Sequence, residues 1–140
     1  IRDSVLAVYR MRADLGFDRW FPNRPEVSTL TAVSPYQPLV ILMGQQAFWP
    51  HEPSGTPPTS VPLAGGWNSV CYAGATKDVQ TATSGIVENI NVLYTLASDQ
   101  KWRRFIPGRP DVSTLGQLES STAVLILVTN PDGVLWMFDA

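Results

Sequence analysis

A single cysteine, Cys71, leaves no internal disulfide to be made, so a small scaffold stapled by cross-links is excluded. A single histidine, His51, removes the usual raw material of acid–base, nucleophilic and zinc sites together. Charged residues make up only 16% of the chain, and two of its ten basic residues, Lys77 and Lys101, are lysine. A net charge of −2 gives no long-range attraction for nucleic acid or an anionic membrane. The longest apolar run, Ala123 to Val128, has strand length and falls far short of the roughly 20 residues that cross a bilayer. The sequence has no Gly-x-Ser-x-Gly elbow, no acidic ladder of the calcium-loop kind and no glycine-rich phosphate loop after a strand. These absences point away from an enzyme, a metal site, a nucleic-acid binder and a membrane span, and no cofactor is expected.

What is present can still build a core. Hydrophobic residues make up 44% of 140 residues, enough for one compact domain or two very small ones. The polar part is rich in Ser and Thr, and twelve prolines punctuate it, a balance that suits a protein outside the cell. Cys71, between Val70 and Tyr72, reads as packing and not as a nucleophile. The start at Ile1, without methionine, reads as a processed product or a fragment.

The chain repeats itself. The segment from Trp20 to Leu30 returns as Phe105 to Leu115, and the match runs without a gap from Val5/Ile90 to Met43/Val128. Twelve of its 39 pairs are identical, among them Tyr9/Tyr94, Asp14/Asp99, Arg19/Arg104 and Ile41/Ile126. Ile1 aligns with Ile86, so the second copy has a leader, Val61 to Gly85, that the first lacks. The expected division is an incomplete first repeat over 1–49, a proline-rich joint over 50–62 and a complete second repeat over 63–140. The joint, too polar and proline-bound for helix or inner strand, should be extended in the polyproline II range.

Local pattern then predicts the elements. Gly65–Gly66 opens a strand over Trp67 to Ala73, and Thr76 or Asp78 can cap a short helix carrying Val79, Ala82 and Ile86, which Gly85 ends early. Ile90, Val92, Tyr94 and Leu96 alternate with polar neighbours as a half-buried strand, matched by Val5, Ala7, Tyr9 and Met11, with Arg10 and Arg12 pointing out. A second strand follows over Trp102 to Ile106, matched by Phe17 to Phe21. Pro22-Asn23 and Pro107-Gly108 fit type II turns, because proline presets the first central dihedral and Asn or Gly accepts a positive φ at the second. Ala123 to Val128 and Leu39 to Met43 are apolar on both sides and read as central strands. Asn130-Pro131-Asp132-Gly133 reads as a hairpin turn into Val134 to Phe138. The expected class is α+β dominated by β, with all-β as the alternative: two copies of a small sheet, the first lacking its N-terminal strand and helix.

The order Gly66-Trp67-Asn68, a short helix, a Tyr-bearing strand, Trp102-x-x-Phe105-x-Pro107-Gly108-x-Pro110 and Ser113-Thr114-Leu115 resembles a repeated module of secreted bacterial proteins, notably of Chloroflexi-type organisms. That module continues into Gly-Tyr-Trp-Ile, where this chain has Ala123-Val124-Leu125-Ile126. The resemblance implies an extracellular or cell-surface setting and brings no activity with it.

The candidate binding residues are the aromatic and arginine sets, Phe17, Arg19, Trp20 and Arg24 in one copy and Trp102, Arg104, Phe105 and Arg109 in the other. Guanidinium planes stack on aromatic rings and pair with carboxylates, and indole rings can seat sugar faces. The alternative is structural: core aromatics, and arginines that close ion pairs with Glu26 or Asp111. Expected partners are other protein chains, including self-assembly by strand addition to the uncovered first copy, or a glycan. Exposed, coplanar Trp20 and Trp102 would favour sugar, and buried rings would favour structure.

Overall fold

The structure is a computed structural model that describes residues 1–52 and 54–138. Pro53 of the expected joint, and residues 139–140 at the end of the expected second repeat, lie outside the described residues. The chain divides into two compact units, Ile1–Thr56 and Pro57–Ala140. Both are built from small antiparallel sheets with very little helix.

Unit 1 opens with a 3-10 turn, Arg2–Ser4, and continues into β1 (Val5–Met11), β2 (Phe17–Trp20), a second 3-10 turn (Pro25–Val27) and β3 (Val40–Met43). Its sheet has the order β2-β1-β3. The β1–β2 hairpin closes where the Arg12 N–H donates to the Gly16 carbonyl at 2.8 Å, with Leu15 at φ 65° and the Asp14 carboxylate accepting the Gly16 N–H.

Unit 2 contains β4 (Ser60–Leu63), β5 (Gly66–Tyr72), β6 (Lys77–Asp78), α1 (Val79–Thr83), a 3-10 turn (Val87–Asn89), β7 (Ile90–Leu96), β8 (Trp102–Phe105), β9 (Gln117–Leu118), β10 (Thr122–Val128) and β11 (Val134–Met137). Four strands form a sheet of order β5-β10-β7-β8, and β11–β4 and β6–β9 form two ribbons. Of the two expected caps, Thr76 and Asp78, it is Asp78 that caps α1, its carboxylate accepting the N–H groups of Gln80 and Thr81. Val79, Ala82 and Ile86 face the core, where they meet Tyr72, Leu93, Phe105, Leu118, Ile126 and Trp136. The Trp136 indole N–H donates to the Ala82 carbonyl at 2.9 Å, which ties the β11 ribbon to the helix.

Strand register repeats between the units at a spacing of 85 residues. Val8 opposite Trp20 recurs as Leu93 opposite Phe105, and Tyr9 opposite Arg19 as Tyr94 opposite Arg104. Val8 opposite Ile41 recurs as Leu93 opposite Ile126, and Val5 opposite Met43 as Ile90 opposite Val128. One extra residue, Leu6 in β1 and Asn91 in β7, bulges at the same place in both.

That bulge corrects the expected alternation. Beyond it the face that meets the core changes parity, so Leu93 and Thr95 are buried, whereas Tyr94 and Leu96 lie on the other side. Unit 1 follows the same shift: Tyr9 and Met11 leave the inner face, and Arg10 does not point outward but pairs with the buried Asp18. Three further expectations change. β3 is an edge strand, not a central one, with Val40 and Leu42 each about half exposed. β11 follows a real turn, closed by the Gly133 N–H on the Asn130 carbonyl at 3.0 Å, yet it pairs with β4 and not with β10. The end of the joint, Ser60 to Pro62, belongs to β4, because Val61 and Leu63 alternate into the core while Pro62 faces out. The helical share of the expected α+β class is one five-residue α-helix and short 3-10 turns, among the described residues.

The core makes a measurable prediction. Leu93→Ala removes a fully buried side chain and should cost unit 2 about 2–5 kcal/mol. Val8→Ala, at the matching register position of unit 1, should cost about 1 kcal/mol or less, because Val8 is only half buried. Urea unfolding followed by amide hydrogen exchange in each sheet separates the two.

Candidate functional site

The candidate residues cluster around one loop in each unit. After β2 the chain turns at Pro22-Asn23, and after β8 at Pro107-Gly108, with φ of 59° at Asn23 and 72° at Gly108. The turns close through the Arg24 N–H on the Phe21 carbonyl at 3.2 Å and the Arg109 N–H on the Ile106 carbonyl at 3.0 Å. This is the type II geometry that the sequence predicts.

Hydroxyls then clamp the loop to the strand. Ser28 Oγ accepts the Phe21 N–H at 3.0 Å and donates to the Arg24 carbonyl at 2.8 Å. Ser113 makes the same bonds at 3.0 and 2.8 Å to Ile106 and Arg109. Thr29 Oγ1 accepts the Arg19 N–H at 3.1 Å, and Thr114 Oγ1 accepts the Arg104 N–H at 3.1 Å. The arginine side chains join the same clamp: Arg19 Nε donates to the Val27 carbonyl at 3.1 Å, and Arg104 Nε to the Val112 carbonyl at 2.7 Å.

Arg24 and Arg109 are held locally too. Arg24 pairs with Glu26, and Arg109 grips Asp111 through two bonds of 3.0 and 2.8 Å. Each arginine holds its acidic partner below the usual carboxylate range. The pairs are more than half exposed, so they shape the loop without adding much to stability.

Strand alternation splits the rest of the set. Phe17 and Trp102 occupy matching positions, 53% and 55% exposed, on the face opposite the core. Trp20 and Phe105 match each other on the inner face, where Phe105 is buried and Trp20 is half-buried. Trp20 and Trp102 are therefore not equivalent, and they do not make the same surface twice. Beside Trp102 the structure brings two rings outside the expected set: Tyr94 edge-on at 89°, and Trp67 tilted at 34° to Tyr94. These rings are not coplanar. Cross-strand register alone brings them together, so no local motif could have found them.

Each unit has an open depression of its own. In unit 1 a cavity of about 420 Å³ is lined by Val8, Trp20, Leu30, Leu39 and Ile41 of the inner face, with Val33 and Trp49 at its rim. In unit 2 a cavity of about 510 Å³ lies between α1 and the Pro107-Gly108 turn, and its one arginine, Arg109, is engaged by Asp111. Burial pushes the Cys71 thiol up, which keeps it protonated and poorly nucleophilic. His51 is exposed, beside Trp49. Among the described residues there is no group of three or more potential metal ligands, and no helix is long and apolar enough to cross a membrane. Comparison with known proteins finds no matching family model, no similar curated protein and no similar solved structure.

The exposed carboxylates predict acid sensitivity. Backbone N–H groups of Gly16 and Lys101, and then Arg12 and Arg103, lower Asp14 and Asp99 as the loop arginines lower Glu26 and Asp111. A lowered folded-state value means that the stabilisation is fully present above the ordinary carboxylate range and is lost as pH falls through the lowered values. The urea midpoint should hold from pH 7 to about 5 and fall progressively below about pH 4, by less in 1 M salt, where the arginine pairs already contribute little.

Proposed function

We propose that the chain is a non-catalytic structural or assembly module, two copies of one small sheet unit, acting outside the cell or at its surface through contacts with other protein chains. The observation that carries this reading is the clamp. The same arginine, serine and threonine atoms close the same loop in both units, 85 residues apart. Groups that could bind a ligand are used instead to fix the exit of a strand, twice over. A tandem unit whose polar side chains serve its own backbone is a building block, and stacking or joining such units is how repeat proteins work. The extracellular setting is supported by the hydroxyl-rich composition and by the resemblance to the repeated module of secreted bacterial proteins.

The exposure of Trp102, with Tyr94 and Trp67 beside it, favours glycan binding as a second reading. Against it stands the edge-on geometry of Tyr94 and Trp102, which does not build one flat platform for successive sugar faces.

Two measurements test these readings. Thr29→Val and Thr114→Val each remove the acceptor of one strand N–H, and each should cost its own unit about 1 kcal/mol. A cost in one unit and none in the other would count against two copies of one module. Affinity electrophoresis through gels loaded with soluble polysaccharides should leave the chain unretarded. Retardation that Trp102→Ala abolishes would put the glycan reading in place of the assembly reading.

A further inference from the structure

The inner face of unit 1 is open where the matching face of unit 2 is closed. Leu93, Phe105, Leu118 and Ile126 are all buried, at 4% exposure or less. Their counterparts at the 85-residue spacing are Val8, Trp20, Val33 and Ile41; Val33 is 56% exposed and the other three are half buried. In unit 2 the cover comes from the segment before β7, with Val70 and Tyr72 of β5 and Val79 and Ala82 of α1, and from Leu63, Trp136 and Phe138 at the β4–β11 ribbon. β5 also satisfies the backbone of β10, pairing from Gly66 opposite Val128 to Tyr72 opposite Thr122. The matching strand in unit 1, β3, pairs only with β1 among the described residues and leaves its other edge unpaired. In unit 1 the open groove and the free edge lie side by side, and in unit 2 one strand-then-helix segment takes the edge and, with the β4–β11 ribbon, closes the face.

We propose that unit 1 is a docking site for a polypeptide segment of the chemistry of Gly66–Gly85. The segment adds as an antiparallel strand to the free edge of β3, places an aromatic side chain in the groove as Tyr72 does, and closes it with a short amphipathic helix as α1 does. The inference rests on the reading of the two units as copies. Strand addition supplies affinity through main-chain hydrogen bonds, while the groove selects the side chains that point into it. A small apolar ligand would fill the groove but leave the N–H and C=O groups of β3 unpaired, so a peptide is the better fit.

The test uses the intact 140-residue chain and a fluorescein-labelled synthetic peptide of residues 65–85 carrying Cys71→Ser, followed by fluorescence anisotropy. Saturable one-to-one binding is expected. Ile41→Asp, which places a charge inside the groove, should weaken it at least tenfold. Val33→Asp, at an exposed rim position where folding is not at stake, should weaken it in the same direction. Val40→Asp, one residue away on the opposite face, should leave it unchanged. Absence of saturable binding overturns the proposal, as does equal loss with Ile41→Asp and Val40→Asp. A chain that dimerises through the groove, lost with Ile41→Asp and not competed by the peptide, also overturns it and assigns the groove to a second copy. The Thr29→Val and Thr114→Val comparison does not involve the groove, so failure of docking and failure of the two-copy reading are told apart.

Discussion

A β-strand makes two demands at once: its N–H and C=O groups need partners, and its apolar side needs cover. In unit 2 a single stretch of chain meets the first and part of the second. β5 pairs along β10, and the same segment continues into α1, which lies over the inner face of the sheet. The ribbon of β4 and β11 then seals what remains. Trp136 stacks on Tyr72 with ring centroids 5.5 Å apart, and Phe138 meets both rings edge-on. The helix is short, yet its position is over-determined by the Asp78 cap at one end and the Trp136 bond to Ala82 at the other. Unit 1 has the corresponding three strands without that cover, which is why its apolar face is a groove and its last strand is an edge.

The second constraint is the bulge at Leu6 and Asn91. With a period of two, one extra residue exchanges the faces of everything that follows. It turns Tyr9 and Tyr94 away from the core and brings in Val8 and Leu93. It also places Phe17 and Trp102 outside, because their partners across the hairpin, Met11 and Leu96, sit beyond the bulge. The exposed aromatic corner of unit 2 and the open groove of unit 1 are both consequences of where that residue falls.

Much of this was legible from residue chemistry, and the part that was not has a common cause. Pro22-Asn23 and Pro107-Gly108 declared their turns, because few residue pairs accept those dihedrals. Thr76 and Asp78 announced a helix start between them, since a side-chain acceptor just before an apolar helical spacing favours a cap, and Asp78 is the one used. The local pairing of Arg24 with Glu26 and of Arg109 with Asp111 was visible because the partners are two residues apart. The bulge carries no residue signature at Leu6 or Asn91, so the pattern of alternation runs straight through it in the sequence. The pairing of β11 with β4 joins residues some 70 positions apart, and no turn motif announces such a partner. Whether an all-apolar strand is central or at an edge depends on what lies next to it, which Val40 to Met43 cannot express.

Identity between the two segments is not spread evenly. Eight of the twelve identical pairs fall between Arg19/Arg104 and Leu30/Leu115, within the clamped loop. The physical reason is specificity of atoms. An apolar face tolerates Val for Leu or Trp for Phe as long as volume and side are kept. A hydroxyl that must accept one N–H and donate to one carbonyl, or a guanidinium that must reach one peptide oxygen, has no substitute of different shape. The loop is therefore held to fixed residues by its own geometry, and its arginines are explained without any ligand. The faces are less constrained, and they differ: Trp20 stands where Phe105 is buried, and Val33 stands exposed where Leu118 is enclosed. On the proposed reading, a difference in what the two units bind belongs on those faces and along the edge of β3, not in the polar loop that first draws attention.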